Sequence, residues 1–102
     1  MFRMHGIYAP IPAPFQNDEL AFDKLAQNMD FWLDSQLSGI VVLGSNGEFV
    51  VLSPEEKRKL ISEVCKLSDG KKPVVAGTGC ESTKETIELT KYAAHVGAAA
   101  AL

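Results

Sequence analysis

The hydrophobic positions of this chain fall into two alternating patterns, short continuous apolar runs and longer stretches with helical spacing. The apolar runs begin near Ile7, Ile40 and Pro73, at a constant spacing of 33 residues, and the final alanines open a fourth run. Short apolar runs bounded by glycine or proline are typical of buried parallel strands. The pattern therefore predicts strands over residues 6–12, 39–44, 73–78 and 98–102.

Between the apolar runs, hydrophobic residues recur every three or four positions, as on one face of a helix. The segment Ser53-Pro54-Glu55-Glu56 has a serine cap, a proline at the first helical position and a glutamate three residues after the cap. The segment Ser82-Thr83-Lys84-Glu85 is predicted to form a second capping box, and Asp69-Gly70 and Gly97 are helix-ending signals. We therefore predict helices over residues 20–36, 54–68 and 83–96.

Alternating strands and helices predict an α/β fold with a parallel sheet and right-handed crossovers. Two closures compete, an open doubly wound sheet and a (β/α)8 TIM barrel. A dinucleotide-binding sheet would carry G-x-G-x-x-G after its first strand, whereas here the strand runs into the segment Pro10-Ile11-Pro12-Ala13-Pro14-Phe15. We favour the barrel, of which residues 1–102 supply the N-terminal part of a single domain: three βα units and the start of the fourth strand.

Composition narrows the class of protein. The 102 residues are 46% hydrophobic and 23% charged with a net charge of −3, and without a basic cluster nucleic acid is not expected as a partner. No apolar run reaches the roughly 18 residues of a membrane span, so a cytoplasmic protein is expected. The isolated Cys65 and Cys80 fit neither a disulfide framework nor a metal site. His5 and His95 are far apart in the sequence and do not predict a metal site either.

The candidate chemistry lies in the segment Gly44-Ser45-Asn46-Gly47-Glu48. It brings a hydroxyl, an amide and backbone N–H groups to the carboxyl end of a strand, which suits a small carboxylate. The competing interpretation is a polar turn that satisfies its own backbone. Glu48 is expected to shape this loop, and Tyr8 and Thr78 are further candidates to line the site, although Tyr8 also fits a core tyrosine.

These residues carry a family resemblance that covers essentially the whole chain. The segment Gly44-Ser45-Asn46-Gly47-Glu48, followed by Leu52-Ser53-Pro54-Glu55-Glu56, resembles the signature of the dihydrodipicolinate synthase/N-acetylneuraminate lyase family. Ala76-Gly77-Thr78-Gly79 resembles the family's third strand end. Ala13 stands where many members have threonine, and Asn46 departs from the synthase-type threonine, which makes this chain look closest to 4-hydroxy-2-oxoglutarate aldolase-like members.

The resemblance implies a class I aldolase, a lyase that needs no cofactor or metal and usually assembles as a homotetramer. Such enzymes form a Schiff base between a lysine and pyruvate or another 2-oxo acid, with an aldehyde as the second substrate or product. In that scheme Ser45 and Asn46 hold the pyruvyl carboxylate, and Ser45 also belongs to a hydroxyl relay that moves protons.

The resemblance also implies that the Schiff-base lysine belongs to a later strand than any in this chain. The lysines present map to predicted helices or to the start of the third strand, so the chain alone is expected to be inactive. Dihydrodipicolinate synthase proper, N-acetylneuraminate lyase and sugar-acid aldolases remain open. So does a non-catalytic truncated barrel that binds a small acid or self-associates to cover its open edges.

Overall fold

The computed structural model describes residues 4–44 and 52–102. Along the chain the strands are β1 (Tyr8–Pro10), β2 (Phe15–Gln16), β3 (Glu19–Leu20), β4 (Gly39–Val42), β5 (Val74–Ala76) and β6 (Ala100–Ala101). The helices are α1 (Phe22–Leu33), α2 (Pro54–Ser68) and α3 (Thr83–Val96). The four predicted strands are present but shorter than expected, whereas α2 and α3 occupy the predicted ranges.

Four strands form one parallel sheet in the order β1-β4-β5-β6. Neighbouring strands of the sheet are also successive along the chain, apart from the hairpin strands β2 and β3. One helix lies in each crossover: α1 between β1 and β4, α2 between β4 and β5, and α3 between β5 and β6. An open doubly wound sheet reverses its strand order at a switch point, whereas a barrel adds strands in sequence. The topology is that of consecutive units of a TIM barrel, as predicted.

The two faces of this sheet differ in what covers them. Ile40, Val42, Val74 and Ala76 are at most 3% exposed and belong to one hydrophobic core. Its helical members include Leu25, Met29, Ile61, Val64 and Leu89. Because successive side chains of a strand point to opposite faces, Tyr8, Val41 and Val75 lie on the other face, which is the inside of a barrel.

A hairpin between β1 and α1 was not predicted. β2 and β3 pair antiparallel through a two-residue turn in which Asn17 and Asp18 have φ of 54° and 63°. Asparagine and aspartate tolerate this left-handed conformation, and turns of this kind match the twist of a hairpin. The hairpin occupies residues 15–20, so α1 begins at Phe22 and not near residue 20.

The helix ends follow largely from local sequence. Ser53 Oγ accepts from the Glu56 amide at 3.1 Å, and the Ser53 amide donates to Glu56 Oε1 at 2.9 Å, which completes the predicted capping box. At α3, Ser82 Oγ accepts from the Glu85 amide at 3.1 Å. The reciprocal bond is not formed between these described residues, so the second predicted box is present only in half.

Candidate functional site at the carboxyl ends of the strands

The residues after β4 and β5 meet at the carboxyl edge of the sheet. The Gly77 amide donates to the carbonyl oxygen of Val42 at 2.8 Å. A side-chain carbon on Gly77 would lie 2.9 Å from the carbonyl carbon of Leu43 and closer still to its oxygen. Only glycine permits this approach, so the peptide of Leu43 rests directly on the backbone of the neighbouring strand. The carboxyl edge is where TIM-barrel enzymes build their sites.

Leu43 itself adopts an unusual backbone conformation. Its φ is 63°, in the left-handed region, which costs roughly 1–2 kcal/mol for a residue with a side chain. Its side chain is 2% exposed within the hydrophobic core, and this burial holds the conformation in place. Leu43 therefore turns the chain abruptly at the end of β4. Strained turns of this kind cluster at ligand sites.

The predicted carboxylate-binding residues come directly after this turn. Ser45, Asn46 and Glu48 lie outside the described residues, and their roles stay predictions. On either side of them, Gly44 is buried and Leu52 directly precedes the Ser53 cap of α2.

Thr78 lies at the same edge, but its side chain faces the helices. The residue is 3% exposed, and its hydroxyl is 2.7 Å from that of Thr90 on α3. Thr90 Oγ1 is also 2.7 Å from the carbonyl oxygen of Thr86. Since the Thr86 carbonyl can only accept and a hydroxyl carries one proton, Thr90 donates to Thr86 and accepts from Thr78. The Thr78 hydroxyl is therefore bonded within the fold.

A second hydroxyl on α3 holds the next part of the same loop. Thr86 Oγ1 accepts from the Cys80 amide at 3.0 Å and lies 3.0 Å from the carbonyl oxygen of Ser82. Thr86 and Thr90 are four residues apart and so lie on one face of α3. The sequence analysis did not single out either threonine. The available signal was two threonines four residues apart on the helix that follows the loop containing Thr78.

Tyr8 lies at the opposite end of the sheet from Leu43 and Gly77. It opens β1 and pairs in register with Gly39, the first residue of β4. A side-chain carbon on Gly39 would lie 2.6 Å from Cδ2 of Tyr8, so the ring covers this glycine. Tyr8 therefore faces the inside of the barrel at its amino end. The structure does not bring Tyr8 together with Thr78.

A cleft of about 390 Å³ opens between the start of α2 and the loop from β5 to α3. Its lining includes Leu52, Lys57, Gly79, Cys80 and Glu85. The Cys80 thiol is 3.5 Å from the carbonyl oxygen of Thr78, so it lies against the loop that the threonines hold.

Cysteines and metal-ligating side chains elsewhere in the described residues were also candidates for chemistry. Cys65 is half-buried beside the core, and burial raises the pKa of its thiol. Within residues 4–44 and 52–102, no three metal-ligating side chains come together. The helices in those ranges lack the length and apolar character that crossing a lipid bilayer requires.

The chain is similar in sequence to proteins of one known family. The model of the dihydrodipicolinate synthetase family matches residues 3–102. The chain is 43% identical to 4-hydroxy-tetrahydrodipicolinate synthase of Methanocaldococcus jannaschii over 102 residues, all of this chain and 35% of that protein. The chain thus spans about a third of the length of this relative.

Solved structures agree over the same region. Dihydrodipicolinate synthase from Aquifex aeolicus superimposes with a TM-score of 0.93 at 34% identity, over 96% of this chain and 33% of that one. A chloride-inhibited dihydrodipicolinate synthase from Acinetobacter baumannii, in complex with pyruvate, gives 0.89 at 35% identity, over 94% and 33%. With the family model matching nearly every residue, the chain belongs to the dihydrodipicolinate synthetase family.

Proposed function

We propose that this chain is the N-terminal part of a pyruvate-dependent class I lyase and contributes its carboxylate-binding loop. The observation that carries the proposal is the left-handed turn at Leu43, backed by Gly77, at the carboxyl edge of a parallel sheet. Ser45 and Asn46 follow this turn in the sequence, and the turn lies at the edge where barrel enzymes bind substrate.

The proposed chemistry needs a fixed carboxylate. A protonated imine between a lysine and pyruvate withdraws electrons, so a carbon–carbon bond forms or breaks through an enamine. The Ser45 hydroxyl and the Asn46 amide would hold the carboxylate and so orient the carbon next to the imine. Ser45 would also pass protons. The Acinetobacter baumannii relative, solved in complex with pyruvate, supports this choice of substrate.

We further propose that the Schiff-base lysine is supplied from outside these residues. Lys24 lies on α1 and Lys84 and Lys91 on α3, while Lys71 and Lys72 precede β5 at the amino edge of the sheet. Lys57, Lys59 and Lys66 lie on α2. TIM-barrel enzymes draw their catalytic residues from the carboxyl ends of the strands, whereas each of these lysines lies on a helix or before β5.

Among possible reactions, condensation with the aldehyde used by 4-hydroxy-tetrahydrodipicolinate synthase has the stronger support. The relatives from Methanocaldococcus jannaschii and Kosmotoga olearia, 43% and 39% identical, both carry that name. The Ser45-Asn46 pair alone favours the 4-hydroxy-2-oxoglutarate aldolase-like branch. The homotetramer and the cytoplasmic location stay predictions.

The experiment that tests the carboxylate assignment compares Asn46→Ala with Asn28→Ala in the intact protein. Asn28 lies on α1, so its loss leaves the carboxyl edge untouched. A hydrogen bond to a charged group contributes about 1.5–3 kcal/mol, so the pyruvate KM of Asn46→Ala should rise at least about tenfold. An unchanged pyruvate KM in Asn46→Ala would rule out the assignment.

A non-catalytic role has one observation in its favour. β1 and β6 each pair with a single neighbour in the described sheet, and the flanking Ile7 and Leu102 are 71% and 75% exposed. Such edges invite association with further chain. A monodisperse, cooperatively melting oligomer of the isolated 102 residues, seen by analytical ultracentrifugation and calorimetry, would favour a self-associating unit, whereas aggregation would favour part of a larger barrel.

A further inference from the structure

We propose that Thr90 is a positioning residue for substrate binding, acting through Thr78 and Gly77 on the turn at Leu43. This inference rests on the proposed function, because its consequence is read out as pyruvate binding. Thr90 lies on α3, and its hydroxyl contacts Thr78 and the Thr86 carbonyl. Its hydroxyl fixes where the β5 strand end lies against the end of β4.

The hydroxyls of Thr78 and Thr90 form a hydrogen-bonded pair. Thr78 and Thr90 are 2.7 Å apart at their Oγ1 atoms, and Thr78 is 3% exposed. A buried hydroxyl without a partner is unfavourable, so Thr78 can be satisfied at this position only while Thr90 presents its oxygen. The Thr86 carbonyl orients that oxygen by accepting a hydrogen bond from the Thr90 hydroxyl. Thr78 is thereby held against α3 in one orientation.

Thr78 is joined to the turn at Leu43 through its neighbour Gly77. Gly77 is bonded to the carbonyl of Val42 at 2.8 Å and rests against the Leu43 peptide. A shift of Thr78 along α3 must therefore move the surface on which Leu43 lies. Because Leu43 holds a conformation that is unfavourable in itself, it depends on such support.

Other hydrogen bonds also hold the loop after β5. Thr78 also has a backbone bond, from its amide to the carbonyl of Leu102 at 3.3 Å. This bond ties the end of β5 to β6, while the Gly77 amide ties the same strand end to Val42 of β4. Thr86 holds the Cys80 amide three residues beyond Gly77. Of the two α3 threonines, Thr90 is thus the one whose partner adjoins Gly77.

The test uses the intact protein with Thr90→Val, which keeps the shape and removes the hydroxyl, and Thr90→Ser, which keeps the hydroxyl. Thr83→Val is the matched control, since Thr83 is exposed at the start of the same helix. Steady-state kinetics give KM for pyruvate and kcat. Amide hydrogen exchange compares Gly77, bonded to Val42, with Ile40, bonded to Pro73 at the other end of the same strand pair.

We expect Thr90→Val to raise the pyruvate KM roughly fivefold or more, because the Thr78 hydroxyl would be left buried without a partner. The kcat should change by no more than about twofold. Gly77 should exchange faster in this variant and Ile40 should not. Thr90→Ser and Thr83→Val should behave like the unaltered protein. A purely structural role would speed exchange at both amides and leave KM unchanged, and that result would overturn the proposal.

Two further outcomes are informative. If Thr90→Val does not fold, the double variant Thr78→Val/Thr90→Val replaces both hydroxyls, which is often nearly neutral for stability; a normal pyruvate KM and normal Gly77 exchange in it would refute the proposal. If the unaltered protein does not bind pyruvate, the proposed function fails. The exchange at Gly77 then still decides whether Thr90 positions the strand end.

Discussion

The peptide of Leu43 lies directly on the backbone of Gly77, with no room between them for a side chain. Leu43 has φ of 63° and is almost fully buried, and Gly77 bonds to the residue before it. Two neighbouring strands thus end in a shared backbone contact at the edge where the candidate site begins. This contact makes the geometry of the site sensitive to a single methyl group.

Gly77→Ala should therefore be strongly disruptive. The new methyl group would collide with the Leu43 carbonyl, and overpacking of this kind costs about 1–3 kcal/mol. We expect the free energy of unfolding, measured by urea denaturation of the intact protein, to fall by about 2 kcal/mol. The matched control is Gly79→Ala, since nothing lies within 4 Å of a side-chain carbon there. Equal losses in the two variants would contradict the steric account.

Asp69 offers a substitution of the opposite sign. It ends α2 in the left-handed conformation with φ of 46°, where glycine is favoured. Asp69→Gly should raise the free energy of unfolding by about 0.5–1 kcal/mol. Asp34, which ends α1 with φ of −85°, is the control, and its change to glycine should lower stability by about as much. The measurement is thermal denaturation of both variants. A Tm that moves in the same direction in both would disprove this account.

Lys72 joins the end of α1 to the start of β5. Its ammonium group donates to the carbonyl oxygens of Ser35 at 2.6 Å and Trp32 at 3.2 Å. A cation at a helix C-terminus stabilises the helix. Removing the ammonium group also removes its hydrogen bonds to both carbonyl oxygens. Lys72→Met should cost about 1–2 kcal/mol in denaturant unfolding, whereas Lys71→Met at the exposed neighbouring position should change stability little. A null effect at Lys72 would show that these bonds add nothing.

Cys65 should make stability depend on pH in the alkaline range. Burial raises the pKa of its thiol in the folded state, so the native protein binds more protons than the unfolded chain once pH passes the unfolded thiol's value of about 8.5. This contribution is complete below that pH and is lost as pH rises towards the folded value. Comparing unfolding at pH 7 and pH 10, the unaltered protein should lose more stability than Cys65→Ala. An identical loss in both would refute the assignment.

Local rules account for the parts of the fold that the sequence predicted well. The bounds of α2 and α3 follow from Ser53, Ser82 and Gly97, because caps depend on residues close in the chain. The hairpin at Asn17 and Asp18 was missed because its turn lacks the glycine that usually marks one.

The shape of the candidate site was less accessible to sequence reasoning. Nothing in the local sequence marks Leu43 as left-handed, since a leucine takes that conformation only when surrounding contacts impose it. The pairing of Thr78 with Thr90 depends on how α3 lies over the sheet. Tyr8 was a candidate to line the site, but which end of the sheet it occupies depends on its register with Gly39 of β4.

The most direct test of the central claim is borohydride reduction of the intact protein in the presence of pyruvate, followed by peptide mass spectrometry. We predict one reduced pyruvyl adduct per protein chain, on a lysine outside the 102 residues described by this sequence. Ser45→Ala should lower the yield at limiting pyruvate. No adduct, or an adduct on any lysine within these residues, would contradict the account.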